Sequence, residues 1–188
     1  MPHPIPLFAA LLLVLGSAVA RAATPTLTVT DADNHQLVLN APGAVSVILG
    51  TSPDSQDAAR RASLAMNPFQ GRPGFRYIVT VDLRSSIAAW VPSIVIRRMQ
   101  RSLDGQAAEL KPYYLRNGNT QDPRPHCYLV PDFRGTVLPQ LKWGGRSDQL
   151  HAIVYGPNGR ELARWDNLTD LTKLQAVVRT ALGRLAHP

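Results

Sequence analysis

Hydrophobic and polar positions alternate in several short runs of this chain, and longer stretches of helical period separate them. Leu27-Thr28-Val29-Thr30 and Gln36-Leu37-Val38-Leu39 repeat every second residue, as half-buried strands do, and Asp31-Ala32-Asp33-Asn34-His35 between them reads as a turn. They predict an N-terminal hairpin. Ala44-Val45-Ser46-Val47-Ile48-Leu49 is almost continuously apolar and rich in β-branched residues, the pattern of a strand buried on both faces of a central sheet. In Gly50-Thr51-Ser52-Pro53-Asp54, Ser52 can cap free amides and Pro53 suits a first helical position, which predicts a helix from about Pro53 to Met66. Asn67-Pro68 stops it. After the loop Gly71-Arg72-Pro73-Gly74, the run Phe75 to Val81 predicts a second strand, giving a β-α-β unit with a parallel pair.

A second helix is predicted from Ala88 to Leu103, with Val91, Ile94, Val95, Met99 and Leu103 on one broad face and Pro92 in the first turn. Asp104 to Pro125, rich in Gly, Asn and Pro, reads as a long connection. Cys127 to Val130 predicts a strand, Pro131 to Gly135 a turn, and Thr136-Val137-Leu138 a return beside that strand. Leu150 to Tyr155 and Glu161 to Trp165 flank Gly156-Pro157-Asn158-Gly159, an antiparallel hairpin with an Asn-Gly turn. A closing helix starts near Thr169 and spaces Leu171, Leu174, Val178, Leu182 and Leu185 for burial. No internal repeat or low-complexity segment is present.

With 188 residues, 45% hydrophobic and 18% charged, the chain suits one domain with a sizeable core. The apolar run Leu7 to Leu15 is too short to span a bilayer, and Gly16-Ser17-Ala18-Val19-Ala20 follows it. Residues 1–22 therefore read as a secretory signal, cleaved after Ala20 or Ala22, and residues 23–188 as the domain. Neither Lys nor Arg precedes the apolar run, so a retained anchor is the alternative. Nothing later approaches the ~20 apolar residues of a transmembrane helix. Export, to a periplasm, is the expected localisation.

The formal charge of +7 comes almost wholly from arginine, with Lys only at Lys111, Lys142 and Lys173. For an exported chain nucleic acid is not expected, which leaves a protein partner or an anionic envelope component. On the second helix Arg97, Arg98 and Arg101 fall within an arc of about 100°, beside the face of Val91, Val95 and Met99. They predict one basic strip. It either solvates the edge of a packed helix or docks an acidic or anionic partner.

Cys127 is the single cysteine, which excludes an intrachain disulfide and any CxxC pair. Its strand position predicts a buried small hydrophobe, and a one-cysteine redox sensor is the alternative. His126, Cys127, Asp132 and His151 match no metal-site spacing, and adjacent strand residues point to opposite faces, so no metal is expected. Asn167-Leu168-Thr169 is a glycosylation sequon placed where the last helix needs a cap. No serine-histidine-acid arrangement and no glycine-rich phosphate loop can be assembled. No catalytic residue, cofactor or enzyme activity is expected.

The order of elements over residues 44 to 185, ending in the hairpin from Leu150 and the last helix, resembles the thioredoxin superfamily. Within it, Tyr128-Leu129-Val130-Pro131-Asp132 and the Gly135-Thr136-Val137 step are similar to small exported proteins of the YtfJ type. The resemblance implies an α/β fold with a central mixed sheet flanked by helices, here with an N-terminal β-hairpin extension. Thioredoxin chemistry needs two cysteines at the start of the first helix, whereas this chain has Ser52-Pro53-Asp54-Ser55. Ser52 and Ser55 keep the spacing without the redox chemistry. The proline that thioredoxins carry before the strand facing that site is also absent before Leu150. The expectation is a non-catalytic binding or structural module, with a single-cysteine redox protein as the alternative.

Overall fold

The computed structural model describes residues 26–84, 91–143 and 148–186. The expected signal segment and the start of the second helix before Val91 lie outside the described residues.

Strands β1 (Thr28–Thr30) and β2 (Gln36–Val38) form the expected antiparallel hairpin. Next come β3 (Val45–Thr51), helix α1 (Gln56–Met66), β4 (Phe75–Asp82) and helix α2 (Pro92–Arg116). Then follow β5 (Tyr128–Asp132), the short helix α3 (Val137–Gln140), β6 (His151–Tyr155), β7 (Glu161–Trp165) and helix α4 (Leu171–Ala186). The main sheet has the order β5-β4-β3-β6-β7, with β3, β4 and β5 parallel and β6 and β7 antiparallel. All seven residues of β3 are buried, Ser46 and Thr51 included, as its almost continuously apolar run predicts for a central strand.

Strand alternation sends Val45, Val47 and Leu49 to one face, where Ala62 and Met66 of α1 and Leu174 and Val178 of α4 cover them. On that same side of β5, Leu129 and Cys127 pack with Leu103, Ala107, Leu110 and Tyr114 of α2. Two crossovers moving in one direction along a sheet share a face when both are right-handed. The other face, with Ile48, Ile78 and Ile153, is covered by Val29 and Leu37 of the hairpin and by Leu138, Leu141 and Trp143 around α3.

Four expectations are corrected. The second helix does not end at Leu103 but runs to Arg116, through most of the predicted connection. Thr136-Val137-Leu138 does not return as a strand, because both oxygens of the Asp132 carboxylate accept backbone amides, from Thr136 at 2.9 Å and Val137 at 2.8 Å, and wind the segment into α3. The last helix begins at Leu171 rather than Thr169. Its first turn is capped by Asp170, which accepts from the Lys173 amide at 3.1 Å, so the sequon residues are not the cap. Finally, Val91 and Ile94 do not join the packed face of α2: they are 41% and 55% exposed.

Candidate functional site

The carboxyl ends of the parallel strands gather polar side chains along one edge of the sheet, the edge where open α/β sheets place their ligands. At the end of β3, Ser52 accepts the Asp54 amide at 3.1 Å, and the Ser55 hydroxyl accepts the Ser52 amide at 3.0 Å, a reciprocal capping box. The Thr51 and Ser55 hydroxyls lie 2.9 Å apart. All three residues are buried. Ser52 and Ser55 are therefore brought together, with their oxygens engaged by the start of the helix.

Gly50 precedes this turn and pairs with His151 of β6. A β-carbon on Gly50 would lie 2.6 Å from the Trp143 ring, so the absent side chain is what lets the indole lie against the strand. The imidazole of His151, itself buried, stacks on that indole at 5.2 Å with an interplanar angle of 22°. At the end of β4, the Asp82 carboxylate receives Arg84 through Nη2 at 2.7 Å and Nε at 3.0 Å. Burial pushes the Asp82 carboxyl up, and the hydrogen bonds and charge of Arg84 more than offset this, leaving it below its ordinary value. Arg84 in turn crosses Gly135, whose φ of +67° turns the chain after β5. A cleft of about 420 Å³ opens between β1 and α3, lined by Thr30, Asp132, Arg134, Thr136 and Gln140 among others.

Cys127 is not part of this edge. It precedes β5 at the other end of the strand, five residue steps from Asp132 or about 16 Å along the strand direction. The thiol is 5% exposed, and its Sγ donates to the Pro123 carbonyl at 3.4 Å. Burial, the largest influence, pushes its pKa up to about 11, with Arg124 opposing and Asp122 and Asp33 adding to the rise. The other metal-ligand candidates are also separated: His126 stacks on Tyr114 at 6.3 Å, while His151 and Asp132 lie at the carboxyl edge.

Arg97, Arg98 and Arg101 are all exposed on the outer side of α2. Of the face they flank, Val91 is exposed while Met99 packs at the margin of the cluster centred on Leu103, Leu110 and Tyr114, which lies on the opposite side of the helix from the arginines.

Two groupings escaped the sequence reading. The hairpin turn places ligand atoms of Asp31, Asp33 and His35 within 4.8 Å of one another. Asp31 accepts the Asp33 and His35 amides at 2.9 and 2.8 Å, and Asp33 holds Arg124 at 2.7 and 3.0 Å, so the acids brace the turn. The Trp143–His151 stack joins residues whose proximity no local pattern encodes.

No protein-family model matches the chain, and no curated protein sequence matches it. Solved structures do. MTB DsbF, in its mixed oxidised and reduced forms, aligns with a TM-score of 0.52 and 13% identity over 83% of this chain and 95% of its own. A thiol:disulfide interchange protein of the thioredoxin family from Chlorobium tepidum gives 0.53 and 9% over 86% and 96%. StoA from Bacillus subtilis gives 0.50 and 8% over 82% and 98%. The chain thus has a thioredoxin-like fold, with its hairpin, mixed sheet and helices in the expected order.

Proposed function

We propose that the chain is an exported thioredoxin-fold protein that works as a non-catalytic binding or structural module. The observation that carries this reading is the state of the helix start. The two positions with CxxC spacing hold Ser52 and Ser55, and their hydroxyls are committed to capping. A hydroxyl cannot form the mixed disulfide through which thiol exchange proceeds. The lone thiol, Cys127, lies at the opposite end of β5, buried and hard to ionise. Export rests on the apolar N-terminal run and its small-residue flank, and the finer likeness to YtfJ-type proteins rests on residues 128–137. Among the described residues no helix is long and apolar enough to cross a membrane.

Insulin reduction in the presence of a dithiol reductant tests the reading. The purified chain should precipitate insulin no faster than the reductant alone, and Cys127→Ser should behave identically. Turnover above the blank that disappears in Cys127→Ser would replace the module with a single-cysteine redox protein.

A further inference from the structure

The outer side of α2 carries charge and apolar surface in one place. Taken at 100° per residue, Arg97, Arg101, Ile94 and Arg98 follow one another around the helix within an arc of about 100°, and Val91 lies at its margin. Ile94 thus lies between the arginines. The packed residues Leu103, Ala107, Leu110 and Tyr114, with Met99 partly buried beside them, are centred on the opposite side of the helix. Ile94 and Val91 are among the few large apolar side chains left exposed.

The arginines differ from several others in the chain. Arg84 holds Asp82, Arg124 holds Asp33 and Asp104, and Arg164 holds Glu161. Arg97, Arg98 and Arg101 form no hydrogen bond or ion pair among the described residues. The first acid along this stretch, Asp104, is already bound to Arg124. Three guanidinium groups without a counterion among the described residues therefore surround an exposed isoleucine.

We propose that this strip docks the protein on an anionic phospholipid surface. The proposal deepens the binding-module reading and rests on it. The guanidinium groups and the isoleucine share one exposed side of the helix, which a bilayer surface can meet without any groove. Guanidinium forks pair with lipid phosphates, and an isoleucine among them can enter the boundary between headgroups and acyl chains. Each basic side chain near such a surface contributes about fivefold in affinity, so three give on the order of 100-fold. The chain's net charge of +7 adds long-range attraction, screened beyond about 8 Å at physiological salt.

The test is co-sedimentation with vesicles of pure phosphatidylcholine and with vesicles containing one-third phosphatidylglycerol. The chain is used as its producing cell releases it, with the N-terminus fixed by intact mass, so that all variants share one terminus. Wild type should bind the phosphatidylglycerol vesicles and not the neutral ones. Arg97→Glu with Arg101→Glu should weaken binding at least 25-fold, and Ile94→Ser several-fold, each with an unchanged circular-dichroism spectrum. Arg179→Glu with Arg184→Glu reverses equal charge on exposed positions of α4 and should change binding less than threefold. Equal losses in both double variants would show an unlocalised charge effect and overturn the proposal, as would wild type that ignores anionic vesicles. Wild type that ignores vesicles but binds polyglutamate would assign the strip to an acidic protein instead. A negative vesicle result with silent insulin reduction defeats this proposal alone, whereas insulin turnover defeats the module itself.

Discussion

Ionisation of a thiol requires solvent, and the Cys127 sulfur lies under Leu103, Ala107 and Tyr114 with its hydrogen directed to the Pro123 carbonyl. With a pKa pushed up to about 11, roughly one molecule in ten thousand carries the thiolate at pH 7. Alkylation by a maleimide or iodoacetamide should accordingly be at least 100-fold slower in the native chain than in denaturant. Equal rates would mean an exposed thiol. Asp33 titrates in the opposite sense. The hydrogen bonds from Arg124 hold its carboxyl below the ordinary 3.8, against some desolvation. Because the folded-state value is the lower one, the stabilisation is present above the unfolded value and is lost as pH falls through the folded one. Asp33→Asn should therefore lower the melting temperature at pH 7, and the two proteins should converge as pH is taken from about 4 to about 2. A gap that persists undiminished at pH 2 would mean that packing rather than charge separates them.

Helix α2 illustrates what local pattern conveys about an element and where it misleads. Gly105 and Pro112 argue for a break, yet both occupy the exposed side, where a missing side chain and a missing amide cost least. Packing of Ala107, Leu110 and Tyr114 against β5 and the hairpin turn carries the helix through them. It ends at Asn117-Gly118, where the Asn117 side chain donates to the carbonyls of Pro68 and Gln70 and ties α2 to the loop after α1. A β-carbon on Gly105 would meet no atom within 4 Å. Gly105→Ala should therefore stabilise the protein by about 0.5–1 kcal/mol, raising the melting temperature by roughly 1–4 °C. A decrease would show that the helix is interrupted there. The fate of residues 136–138 has a different cause. Their fold depends on the buried Asp132 carboxylate four and five residues upstream, which an alternation pattern does not record.

For the molecule as a whole, the sheet was legible because its strands are written in continuous or alternating apolar runs. The turns Gly71 to Gly74 and Gly156 to Gly159 punctuate them with residues at positive φ. The helix start at Ser52 was legible for the same local reason: a cap, a proline and a second serine three residues on. What surrounds it was not, since Trp143 reaches Gly50 across more than ninety residues of chain and stacks there on His151, the strand partner of Gly50. The outcome is a thioredoxin-like scaffold in which hydrogen-bonded hydroxyls occupy the start of the first helix and an imidazole and indole stack against the neighbouring Gly50. Its lone thiol lies at the far end of the sheet. Acid trapping followed by alkylation of the chain in its producing cells and their medium tests the absence of thiol exchange most directly. The account predicts that essentially all Cys127 is recovered as a free thiol and that no mixed disulfide with another protein appears. A mixed disulfide that forms through Cys127 and is lost in Cys127→Ser would contradict it.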